Sequence, residues 1–112
     1  MKNRQIAALA AALAASALAS PALAQLDAAK ADALMKKAAC SACHAVDKKG
    51  VGPAYKDVAK KYKGDAAAPA KLAEKVRKGG MGVWGQIPMP PNTPDKISDD
   101  EVKQLVAWVL TQ

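Results

Sequence analysis

A chain of 112 residues with 17 Lys and Arg against 10 Asp and Glu is strongly basic, at a formal charge of +7. No nucleic-acid-reading motif accompanies the lysines, which excludes the first inference that such a charge invites. Beyond residue 24 only Tyr55, Tyr62, Trp84 and Trp108 are aromatic, and Phe is absent; a domain this small is marginal on its own core, so composition favours a large apolar cofactor that completes it.

Residues Met1 to Ala24 read as a secretory signal peptide. Lys2 and Arg4 supply a positive start, Ile6 to Leu18 is an almost unbroken Ala/Leu run, and Ala22-Leu23-Ala24 fits a small-x-small cleavage site. As a retained membrane anchor the run is short, and Ser20-Pro21 interrupts it. The expectation is therefore a cleaved leader over 1–24, a single domain over 25–112, a periplasmic location and no stable membrane insertion afterwards. Lys2 and Arg4 leave with the leader and no acid does, so the charge falls to +5.

From Asp27 to Ala39 the residues favour helix, without Gly or Pro, and Asp27 suits the N-cap. Leu34, Met35 and Ala38 are expected to face inward, with Lys30, Lys36 and Lys37 outward. The helix is expected to lead straight into Cys40-Ser41-Ala42-Cys43-His44. This is C-x-x-C-H, the pattern for covalent attachment of a c-type haem. Residues at i, i+3 and i+4 of a helix share a face, so two thiols can add to the porphyrin vinyl groups while the imidazole reaches iron. A Cys40–Cys43 disulfide leaves the histidine unexplained. A thioredoxin-like pair needs a βαβ setting, and a zinc site needs a second ligand pair; the sequence offers neither. His44 is the only histidine, so two histidine ligands from this chain are impossible. The sixth position falls to Met, Lys, water or an outside ligand.

Asp47 to Pro53 is a turn by its Gly and Pro content. A proximal histidine donates its second ring N–H to an acceptor such as a backbone carbonyl, and the Gly52-Pro53 turn is a source of one as well as a chain reversal. Tyr55 to Tyr62 suits a short helix with Tyr55, Val58, Ala59 and Tyr62 on one side. Gly64 and Asp65 break it. Pro69 fits the first turn of a third helix, running through Leu72 and Val76 to Gly79-Gly80, with Lys71, Lys75, Arg77 and Lys78 on its outer face.

Gly80 to Asn92 has no period, and its glycines and prolines forbid regular structure. Two methionines in it offer a thioether. Met81 sits between glycines, whereas Met89 lies between Pro88 and Pro90-Pro91, where the chain is stiff and extended. A weak neutral ligand holds best when little order is lost on binding, which favours Met89 over Met81. Trp84 is placed to pack at the haem edge and offer its indole N–H to a propionate. Asn92 either bonds back toward the Met89 sulfur or simply forms the turn. Finally, Ser98-Asp99-Asp100-Glu101 has capping-box form. Val102, Leu105, Val106, Val109 and Leu110 then make an apolar stripe, with Trp108 beside it. This helix is expected to cross the first and close the pocket.

The assembled sequence resembles the small monohaem class I cytochromes c of bacteria, the cytochrome c-551/c-552 (cytochrome c8) type. Beyond the Cys40–His44 motif the resemblance is carried by Val51-Gly52-Pro53-Ala54-Tyr55-Lys56-Asp57-Val58-Ala59 and by Gly82-Val83-Trp84-Gly85-Gln86-Ile87-Pro88-Met89-Pro90-Pro91-Asn92. It implies an all-α fold of about four helices wrapped around one haem c bound through Cys40 and Cys43. It also implies His44 and Met89 as iron ligands, Pro53 as the carbonyl partner of His44, Trp84 and Lys75 near propionates, and Asn92 against the ligand sulfur. Thr93 to Ile97 looks a few residues longer than in the short members. The implied role is an electron carrier, not an enzyme, serving redox proteins; a monomer is the default, and the +5 charge is consistent with partners that have acidic docking faces. An open-site haem enzyme would need a polar distal residue, and neither a second His nor an Arg stands in the Met89 loop.

Overall fold

The computed structural model describes residues 25–112; the expected leader lies outside the described residues. Four α-helices follow in order: α1 (Ala28–Lys37), α2 (Tyr55–Lys61), α3 (Ala68–Lys78) and α4 (Asp99–Val109), with one turn of 3-10 helix at Cys40–Ala42. Among the described residues extended pairing is limited to two isolated bridges, His44 with Lys49 and Gly80 with Met89. The expected all-α architecture is therefore what forms.

Local chemistry accounts for the ends of the helices. Asp27 caps α1 by accepting from the Lys30 amide at 2.8 Å. Pro69 occupies the first turn of α3, and Gly79 ends it. At α4, Ser98 Oγ accepts from the Glu101 amide at 3.2 Å and Glu101 Oε1 accepts from the Ser98 amide at 3.0 Å, the reciprocal arrangement of a capping box. Glu101 also receives Lys37 Nζ at 2.9 Å, which ties α1 to α4 on the surface.

The core is one cluster centred on α4. Val102, Leu105, Val106, Trp108 and Val109 pack with Ala31 and Met35 of α1, Tyr55 and Val58 of α2, and Ile97. α4 touches α1, α2 and α3, so the last helix gathers the other three. On α1 Met35 and Ala38 are buried as expected and Ala31 joins them, whereas Leu34 is only half-buried. Trp108, expected beside the stripe, is in the core and meets Tyr55 edge-on at 6.2 Å.

Arg77 corrects the reading of α3. It does not belong to the outer basic face. Its Nη1 donates to the carbonyls of Asn92 and Ile97, both at 2.9 Å, and its Nη2 pairs with Asp99. Those carbonyls belong to buried residues, where an unpaired backbone acceptor is costly.

Candidate haem site

The C-x-x-C-H motif does not continue α1. The helix ends at Lys37, and Ala39 takes a left-handed conformation, φ 59°. A non-glycine residue there costs about 1–2 kcal/mol; it is tolerated here because it re-aims the chain into the motif. One turn then closes on itself, with the Cys43 and His44 amides both donating to the Cys40 carbonyl at 3.1 and 3.0 Å. The expected i, i+3, i+4 presentation survives on this single turn, and Cys40, Cys43 and His44 line one cleft.

His44 is held on three sides. Its Nδ1 lies 2.8 Å from the Pro53 carbonyl oxygen. That oxygen can only accept, so Nδ1 carries the proton and Nε2 keeps its lone pair. Tyr55 stacks on the ring at 5.2 Å and 16°. Gly52 closes the remaining side so tightly that a Cβ there would fall 2.5 Å from Cε1 and 2.9 Å from each ring nitrogen. The turn itself is fastened by the Gly52 amide donating to the Cys43 carbonyl at 2.9 Å. Burial pushes the Tyr55 hydroxyl well above its usual range, so it stays neutral. The Cys40 thiol is also raised, chiefly by burial, with Cys43 adding and a backbone hydrogen bond opposing.

The second wall comes from the loop after α3. Gly80 and Met89 exchange both backbone hydrogen bonds, Gly80 N–H to Met89 O at 3.0 Å and Met89 N–H to Gly80 O at 2.8 Å. Residues 81–88 are the excursion this pair closes. Met89 therefore sits at the fixed base of the loop and is half-buried, whereas Met81 is 59% exposed. Gly79, at φ 68°, lies against the backbone of Met89, Pro90 and Pro91 with no room for a Cβ. Asn92 is buried and does not turn to the Met89 sulfur. Its Nδ2 donates to Val76 O at 3.1 Å and approaches Pro90 O at 3.5 Å, and its amide donates to Val76 O at 3.2 Å. Its role is to fasten the loop to α3. Trp84 stands on the rim with Lys61 Nζ 5.5 Å above its ring.

All eight residues singled out from the sequence, namely Cys40, Cys43, His44, Pro53, Lys75, Trp84, Met89 and Asn92, line the same cleft. Val51, Met81, Val83, Trp84 and Ile87 are the exposed large hydrophobic residues among those described, and every one of them lines it too. Leu105, Val106 and Val109 bring α4 to its floor. The cavity measures about 250 Å³. Its lining is mostly apolar with a few polar edges, which suits a large, flat, apolar group such as a porphyrin. Among the described residues no three His, Cys, Asp or Glu side chains gather as a site for a bare metal ion.

Sequence reasoning placed Gly52 in the turn, Gly79 at the end of α3 and Arg77 on its outer face, but not the close approach of Gly52 to His44, that of Gly79 to the Met89–Pro91 backbone, or the carbonyls that Arg77 holds; only the folded chain brings those neighbours near.

Comparison with known proteins agrees. The Cytochrome c family model matches residues 28–112. The chain is 56% identical to cytochrome c-551 of Pseudomonas aeruginosa over 81 residues, 72% of this chain and 75% of that one. It is 53% identical to cytochrome c-552 of Nitrosomonas europaea over 83 residues, 73% and 79% of the two chains. In three dimensions it is similar to crystalline wild-type Nitrosomonas europaea cytochrome c552, with a TM-score of 0.66 and 51% identity over 71% of this chain and 96% of that one. It is also similar to the class 1 cytochrome MtoD of Sideroxydans lithotrophicus, with a TM-score of 0.65 and 37% identity over 77% and 96%. A single-turn C-x-x-C-H facing an apolar cleft thus has its explanation in kinship: the chain belongs to the cytochrome c family, of the class I c-551/c-552 type, electron-transfer proteins with one covalently attached c-type haem.

Proposed function

We propose that this protein is a periplasmic one-electron carrier whose iron is held by His44 and Met89. Cys40 and Cys43 provide the thioether links, Pro53 the carbonyl that orients His44, and Trp84 and Lys75 the contacts at the propionate edge. The observation that carries the reading is the rigidity of both donors. His44 is fixed in one tautomer by Pro53, and Met89 is pinned by its paired bonds to Gly80, on walls of one cleft.

The bound haem supplies reversible one-electron chemistry at iron. His44 would offer its Nε2 to iron, with the ring oriented by the Pro53 bond. Met89 offers a neutral thioether, which favours the reduced state relative to a second nitrogen donor. Because both donors are set by the backbone before they bind, little moves when the charge changes by one. Leu105, Val106 and Val109 give the cleft a buried apolar floor. Lys75 and Lys96 are the charged side chains that line the cleft among the described residues, with no carboxylate beside them. These properties suit a carrier rather than an enzyme.

Residues 1–24 are proposed as the cleaved export signal and 25–112 as the mature, monomeric domain. Its excess of lysine suits partners with acidic faces. The test is the ferric spectrum. A long-wavelength sulfur-to-iron charge-transfer band is expected in the wild type and in Met81→Leu and absent in Met89→Ala. Loss of the band in Met81→Leu instead would reassign the ligand.

A further inference from the structure

We propose that Arg77 is a positioning residue for the Met89 ligand, an inference that rests on the His44/Met89 reading above. The chain leaves α3 at Gly79, passes through the Met89 loop, and returns along α3 at Asn92 before entering α4 at Ser98. One end of the returning segment is fixed by the Gly80–Met89 pair. The other end carries only a turn, in which the Lys96 and Ile97 amides donate to the Thr93 carbonyl at 2.9 and 3.2 Å. It is fixed by Asn92, whose amide and Nδ2 both donate to Val76 O, and by Arg77.

Arg77 reaches from the last turn of α3 to three separate points. Its Nη1 spans the carbonyls of Asn92 and Ile97, at the two ends of the returning segment. Its Nη2 meets Asp99 in the first turn of α4. The planar fork of guanidinium is what allows three fixed bonds from one side chain. The side chain is 22% exposed, and both carbonyl partners lie in buried residues. Only two residues, Pro90 and Pro91, separate Asn92 from Met89, and proline restricts the chain between them. Holding Asn92 at α3 therefore holds the Met89 backbone at a set distance from α3. Releasing it lets the thioether retreat from the cleft, and the cost of re-ordering the loop is then charged to the iron–sulfur bond.

The measurement is competition by added imidazole for the sixth position of the ferric mature protein, followed by loss of the sulfur-to-iron band. The comparison runs across wild type, Arg77→Ala, Arg77→Lys and Val102→Ala. Val102 is buried in α4 outside the cleft lining, so its variant loses stability without touching the loop. Arg77→Ala is expected to bind imidazole roughly tenfold more tightly, which corresponds to about 1.4 kcal/mol, the low end for one hydrogen bond to a charged group. Arg77→Lys keeps the charge and loses the fork, and is expected to fall between Arg77→Ala and wild type; it also provides the reading if Arg77→Ala does not fold. Val102→Ala is expected to melt lower with imidazole affinity unchanged. Wild-type affinity in both Arg77 variants would overturn the proposal, as would tightening in Val102→Ala in proportion to its lost stability. A wild-type protein without the band would instead refute the ligation itself.

Discussion

Gly52 shows how much of this site depends on a side chain that is missing. Its backbone lies flat against His44, and a methyl group there would meet three ring atoms at 2.5–2.9 Å. The ring cannot yield, because Tyr55 stacks on it and Pro53 holds Nδ1. Gly52→Ala is expected to cost about 1–3 kcal/mol by overpacking. In a domain this small each kcal/mol lowers Tm by about 4–8 °C, so thermal unfolding of the mature protein reads the effect directly. A wild-type Tm would show that the ring has somewhere to go. The proposed donors rest on local chemistry: a five-residue motif names His44, and two flanking prolines single out Met89. The close approach of Gly52 was not legible in the sequence, since its reason lies in an imidazole eight positions earlier that only the turn brings back.

Helix limits were largely readable, because caps are short-range devices. Asp27, Pro69, Gly79 and Ser98 each act within one turn of their own position. Two element-level features were hidden. The first helix stops before the haem motif at a left-handed Ala39, a conformation that alanine does not advertise. Arg77 looks like one more cation among Lys71, Lys75 and Lys78, and only the return of residues 92–97 gives it carbonyls to hold. The α4 capping box carries its own prediction. The Glu101 carboxyl is held below its ordinary value of 4.5, first by the Ser98 backbone N–H and then by Lys37. Its folded value thus lies below its unfolded value. The stabilisation is complete above the unfolded value and is lost as pH falls through the folded one. Glu101→Gln should therefore unfold with a shallower loss of stability in the acid range than wild type, measured by denaturant titration across pH; an unchanged acid slope would contradict the arrangement. Ser98→Ala should cost about 1 kcal/mol near neutrality.

At the scale of the molecule, a small chain reaches a complete core by borrowing one. Ala31, Met35, Tyr55, Val58 and the α4 stripe pack on one another, while the other apolar side chains converge on a cleft shaped for a porphyrin. The cleft has a basic rim. Lys75 and Lys96 line it, and Lys61 sits over Trp84. Acids are gathered instead in the first turn of α4, at Asp99, Asp100 and Glu101. Electron exchange with an anionic redox partner is expected to slow as ionic strength rises, since screening shortens to about 8 Å at physiological salt. A stopped-flow series in salt measures this, and a rate that rises with salt would point to a partner of the opposite sign.

The claim on which the rest depends is that His44 and Met89 together seal the iron, leaving only the electron to exchange. Spectroelectrochemical titration of the purified mature protein under argon and again under carbon monoxide tests it most directly. The expected result is a single one-electron transition, about 59 mV per tenfold change in the oxidised-to-reduced ratio, with the same midpoint under both gases. A midpoint that moves upward under carbon monoxide, as the gas captures the reduced iron, would contradict it and mark an open site.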